Sequence, residues 1–84
     1  MIEDKVKNLI GQTIIDNNYI LDEVLYVKED GNNFLRVVID KKGIIDIDDC
    51  VKVSKMINPI LDDNEDIFSD TYILDVCSKE KGCE

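Results

Sequence analysis

Asp62, Asn64 and Asp66 alternate in the way the first ligands of a calcium loop do. Such a loop needs hard oxygen donors at alternate positions, then a glycine for the sharp turn, then a bidentate glutamate. Ile67 stands where the glycine must turn the chain, and Ile73 stands where the glutamate must be. The pattern breaks there, and no metal ligand is assigned. The three cysteines, Cys50, Cys77 and Cys83, lack the paired close spacing of a zinc site, and the chain has no histidine to complete one. Cys50 is most simply a small core residue. Without histidine, acid–base or nucleophilic chemistry would fall to Lys, Cys or carboxylates with displaced pKa values, and nothing clusters them. No catalytic residue and no cofactor-binding residue is assigned, and the chain is expected not to be an enzyme.

Two further groups could bind. Arg36 with Lys41 and Lys42 is the one basic spot; a solvated hairpin end explains it as well. The acids are more concentrated. The chain carries 19 acidic and 10 basic residues, a net charge of −9. From Asp46 to Asp70 there are eight acids and two lysines, a balance of −6. Affinity for a phosphate backbone rests on Lys and Arg, so this surface does not suit nucleic acid. It suits a basic protein, or it is simply a solvated face that keeps the domain soluble. An acidic chain of this size also suggests an acyl carrier protein. That reading fails, because no Asp-Ser pair opens a helix and Ser69 precedes Asp70.

The elements that position these residues centre on residues 34–62. Leu35, Val37 and Ile39 alternate with Arg36, Val38 and Asp40, the period of a half-buried strand. Gly43 is free to take positive φ in the break that follows. Asp46 is the expected N-cap of a helix from Ile47 to about Leu61, with Asp49 completing a capping box and Ile45 and Cys50 in the staple positions. Its expected buried stripe is Ile47, Cys50, Val51, Ser54, Ile57, Ile60 and Leu61, with Lys52, Lys55 and Asn58 in water. Pro59 should kink it or loosen its last turn.

Upstream, Ile2, Val6, Leu9, Ile10 and Ile14 recur at helical spacing over roughly residues 2–16, and Asp16-Asn17-Asn18 stops that helix. Ile20–Glu29 reads as a strand, joined through Asp30-Gly31 to the strand at Phe34–Asp40 as an antiparallel hairpin. Downstream, Asp62 to Asp70 is an acidic loop, residues 72–77 alternate as a last strand, and Ser78 to Glu84 is a polar, frayed tail. Leu35, Val37, Ile39, Leu74 and Val76 should share a core with Ile10, Ile57 and Leu61.

The fold class is α+β: a two-layer α-β-β-α-β domain with two helices on one face of a three-stranded mixed sheet. The crossover from the second strand through the second helix makes those two strands parallel. The other sheet face would show Leu25, Val27, Phe34, Val38 and Ile73, more apolar than an open antiparallel face usually is. The candidate partner-binding residues are therefore Phe34 and Val38 on that face, and Asp62, Asp63 and Asp66 in the acidic loop. No stretch is long and apolar enough to span a membrane, and no leader precedes a cleavage site, so a cytoplasmic protein is expected.

Several stretches carry a family resemblance. They are Phe-Leu-Arg-Val-Val-Ile-Asp-Lys (residues 34–41), Gly-Ile-Ile-Asp-Ile-Asp-Asp-Cys (43–50), Ser-Lys-Met-Ile-Asn-Pro-Ile-Leu-Asp (54–62) and Tyr-Ile-Leu-Asp-Val-Cys-Ser (72–78). In this order and spacing they resemble the N-terminal domain of the bacterial ribosome maturation factor RimP family. The resemblance implies a domain like a prokaryotic type II KH fold without its Gly-x-x-Gly clamp, a motif this chain also lacks. It implies a non-enzymatic role in assembling the small (30S) ribosomal subunit, with a ribosomal protein or pre-ribosomal particle as partner. By this reading residues 1–78 are the RimP N-terminal-like domain and 79–84 a polar tail. The family's second, β-barrel domain is absent from the sequence. No cofactor is implied. The alternative is a KH-like RNA-binding module, which would need a basic groove; with the acids dominating, little direct RNA binding is expected.

Overall fold

The computed structural model describes residues 2–79 and the backbone of Gly82 and Cys83. The order is α1 (Ile2–Asp16), β1 (Ile20–Glu29), β2 (Asn32–Asp40), α2 (Ile47–Asp62), a single 3₁₀ turn (Glu65–Ile67), β3 (Ile73–Ser78) and β4 (Gly82–Cys83). The expected α-β-β-α-β domain is present, with both helices on one face of a mixed sheet. Strand order is β1-β2-β3-β4. β2 pairs antiparallel with β1 and parallel with β3.

Each element follows from its local residues. Val6, Ile10 and Ile14 recur every fourth position and form the buried stripe of α1. The helix ends in a Schellman motif. Asn18 takes φ 68°, its N–H donates to Ile15 O, and the Tyr19 N–H reaches back to Ile14 O at 3.0 Å. Asp30 and Gly31 both have positive φ, as a two-residue type I′ hairpin turn requires. Gly43 takes φ 96° in the link to α2, a value a side chain strains to adopt.

Asp46 caps α2 as expected. The Asp49 N–H donates to Asp46 Oδ1 at 3.2 Å, and the Asp46 N–H donates to Asp49 Oδ2 at 3.0 Å. Both halves of the capping box form although the second acid is the shorter Asp. Ile45 and Cys50, the staple pair, are fully buried. The helix runs unbroken past Pro59 to Asp62. Proline removes one intrahelical bond there, to Lys55 O, and both residues are exposed, so water can satisfy that carbonyl.

The core joins Leu35, Val37 and Ile39 of β2 to Val6, Ile10 and Ile14 of α1, Val24 of β1, Val76 of β3, and Cys50, Val53, Ile57 and Leu61 of α2. Expectation and structure differ at four points. The stripe of α2 is rotated: Val53 is buried, whereas Ile47 and Val51 are 46% and 37% exposed. A polar anchor described below turns the Asp49 flank inward, and residues on the opposite flank move out. Leu74 is only half-buried, because it borders an open cleft. Phe68, placed by sequence in an acidic loop, is buried at 8% exposure. Ser78 is no frayed tail residue: it ends β3, is 3% exposed, and is paired with Ile39 and Gly82. Beyond it Lys79 donates its N–H to Ile39 O at 2.9 Å. Gly82 and Cys83, also expected in that frayed tail, instead pair antiparallel with β3 as β4; residues 80, 81 and 84 lie outside the described residues.

β1 carries a bulge between Leu21 and Glu23 that leaves Asp22 without a cross-strand partner. The extra residue resets the alternation, so Leu21 and Val24, three apart, both pack on the helix side. Cys50 is a buried thiol of the core, and Cys77 is disulfide-bonded.

Candidate functional site

Register fixes what the open sheet face displays, since directly paired residues project to the same side. Three rows cross β1, β2 and β3: Val27–Phe34–Ile73, Leu25–Arg36–Asp75 and Glu23–Val38–Cys77. All five apolar residues expected on this face are on it. Leu25, Val27, Phe34 and Val38 are half-buried, and Ile73 is 48% exposed. Arg36 crosses the middle row. Its Nη2 lies 3.2 Å from Glu29 and its Nε 3.4 Å from Asp75. The guanidinium sits 5.9 Å from the centroid of the Phe34 ring. Hydrogen bonding to Glu29 holds the guanidinium charge more firmly than usual, against a smaller opposing effect of burial.

The acids lie elsewhere. Asp62 ends α2, Asp63 caps it, and Asp66 sits in the 3₁₀ turn; all three are exposed. Asp62 and Asp66 join Glu65 and Asp70 around an open cleft of about 750 Å³ between the end of α2 and β3. Phe68, Tyr72 and Leu74 also line it. Among the described residues, ion pairs engage Glu29, Asp75, Asp49 and Asp22, and none reaches the acids of this cleft. The five candidate residues therefore do not form one site. Phe34 and Val38 belong to the open sheet face; Asp62 and Asp66 belong to the cleft on the helix side, next to Asp63. The Asn64 side chain of the calcium-like pattern is committed locally, donating to Ile60 O at 2.8 Å.

The expected basic spot is dispersed. Arg36 is held between two carboxylates, and Lys41 reaches Asp49 at 3.0 Å. Asp49 is a hub the sequence did not reveal. Its carboxylate accepts from the Tyr19 hydroxyl at 2.6 Å, from the Asp46 N–H and from Lys41 Nζ. The Tyr19 bond first, then the Asp46 N–H and Lys41, hold its carboxyl well below the usual carboxylate range. Tyr19 is pushed up to about 12, by burial first and then by Asp49. The hub ties the end of α1 and the loop after β2 to the first turn of α2. It fixes the rotation of α2 and is structural.

Another feature missed in sequence is the ring ladder below the cleft. Tyr26 and Phe68 have centroids 5.8 Å apart, and Phe68 and Tyr72 stack at 4.2 Å. The available signal was aromatic spacing: Phe68 and Tyr72 flank three polar or charged residues but bracket the turn into β3.

The chain is a two-layer α-β-β-α-β domain with an acidic cleft on its helix side. The family model for the RimP N-terminal domain matches residues 9–79. The chain belongs to that family and is a ribosome maturation factor domain. Among the described residues, no helix is long and apolar enough to cross a membrane.

Proposed function

We propose that this domain acts without catalysis in maturation of the small (30S) ribosomal subunit, in the cytoplasm of a bacterium, by binding a basic small-subunit ribosomal protein or the pre-ribosomal particle. The observation that carries the choice of a basic partner is the cleft at the end of α2: Asp62, Glu65, Asp66 and Asp70 that line it, and Asp63 beside it, are exposed and outside every ion pair among the described residues. Unneutralised carboxylates attract a cationic protein and repel a phosphate backbone. The apolar row Val27–Phe34–Ile73 is a second contact surface in this reading.

The test is a binding titration against purified basic small-subunit proteins and against naked ribosomal RNA, at several salt concentrations. Association with the protein should slow as salt rises, because exposed charges are screened over roughly 8 Å at physiological ionic strength. Reversing Asp62, Asp63 and Asp66 to Lys should slow it further, and Phe34→Asp probes the sheet face separately. Submicromolar RNA binding at physiological salt, with no binding to small-subunit proteins, would overturn the proposal and favour a KH-like RNA-binding module.

A further inference from the structure

We propose that the cleft at the end of α2 is a seat for an arginine side chain of an extended cationic peptide. The inference deepens the reading above and rests on it only in taking a basic protein as partner. The cleft, about 750 Å³, is far larger than one guanidinium and open enough to admit a chain segment. Its wall is aromatic. Phe68 stacks on Tyr72 at 4.2 Å and packs tilted against Tyr26 at 5.8 Å. Tyr72 lines the cleft and is half-buried rather than buried like Phe68, so it is the ring a ligand there meets. Its rim is anionic. Asp62, Glu65, Asp66 and Asp70 border the same space. Asp62 and Glu65 line the same cleft as Tyr72; burial, and then the charges of these two carboxylates, raise the Tyr72 phenol above its ordinary value.

A ring beside several carboxylates selects among cations. The planar guanidinium can stack on an aromatic face while its edge donates to carboxylates in its own plane; an ammonium offers a point charge. The protein already contains this arrangement once. Arg36 lies over Phe34 at 5.9 Å and is bracketed by Glu29 and Asp75. The cleft holds the same two partner types, a ring and flanking acids, without the arginine. A nucleobase could also stack on Tyr72, but its phosphates would meet the four carboxylates.

The experiment uses the full chain and two labelled peptides of equal length and charge, one of Gly-Arg repeats and one of Gly-Lys repeats, read by fluorescence anisotropy. The Gly-Arg peptide should bind roughly two- to fivefold tighter, the range expected of an exposed cation–π contact. Tyr72→Phe should keep that preference, and Tyr72→Leu should remove it while leaving salt-dependent binding of both peptides. Asp62→Asn with Asp66→Asn should weaken both peptides together. Equal affinity of the unaltered chain for the two peptides overturns the seat, as does a preference that survives Tyr72→Leu. Displacement of the Gly-Arg peptide by an oligouridine overturns it too. Should Tyr72→Leu fail to fold, amide shifts of the unaltered chain decide. Shifts at Asp62, Asp66 and Tyr72 on adding the Gly-Arg peptide support the seat, and shifts confined to the open sheet face overturn it. Arginine preference without capture of any small-subunit protein supports the seat and overturns the assembly partner. Capture without arginine preference overturns the seat alone.

Discussion

Replacing Asp49 by alanine should destabilise the domain more than any other single change at a polar side chain. The carboxylate is 13% exposed and holds three donors. Losing the second half of the capping box costs about 1 kcal/mol. The 2.6 Å bond from the Tyr19 hydroxyl is charge-assisted, a type that contributes about 1.5–3 kcal/mol. The Lys41 pair is 30% exposed on the lysine side and adds about 0.2–1 kcal/mol. These bonds share one carboxylate and do not add fully, so Asp49→Ala should cost about 2–4 kcal/mol. That is a large part of a small domain's stability. The pH dependence gives a second handle. The fold favours the ionised carboxylate, so its contribution is present above the unfolded carboxylate's value of about 4. It is lost as pH falls from there toward the depressed folded value. Tyr19 acts at the other end: its phenol is raised to about 12, so stability present below about 10 is lost as pH rises from there toward 12. The stability difference between the unaltered chain and Asp49→Asn, from urea titrations at a series of pH values, should shrink progressively as the pH falls below ~4. A constant difference across that range, or a loss under ~1 kcal/mol for Asp49→Ala at neutral pH, would refute the hub.

Leu35→Ala should cost about 2–5 kcal/mol by urea titration, and Leu74→Ala clearly less, because Leu35 is fully buried and Leu74 borders the cleft. Equal losses would place the cleft wall wrongly. Asp46→Ala should cost about 0.5–2 kcal/mol and Asp48→Ala less, as the N-cap side chain belongs to Asp46; the reverse order in the same assay would start α2 two residues later. Gly43→Ala should destabilise by about 1–2 kcal/mol although open space surrounds the new methyl, because φ is +96° there; a gain in melting temperature would show that the turn relaxes.

What sequence made legible, and what it left hidden, divides by the range of the interaction. The caps, the Asp30-Gly31 turn, the glycine at position 43 and the alternation of β2 are decided within a few residues, and each appears where its local chemistry puts it. The five apolar residues of the open face were legible for the same reason: period-two alternation in three strands assigns sides once pairing is given. The azimuth of α2 was not. Ile47 and Val51 carry as much hydrophobic signal as Val53, and periodicity admits either stripe. A hydrogen bond across thirty positions, from Tyr19 to Asp49, breaks the tie. The candidate site shows the same division. The count of acids between Asp46 and Asp70 was plain, but that a Phe68–Tyr72 stack lies against four of them depends on how the 3₁₀ turn folds back over β3. Charge alone made the segment a partner surface of no particular shape. Folding adds the ring, and a ring among carboxylates discriminates between cations that net charge treats alike.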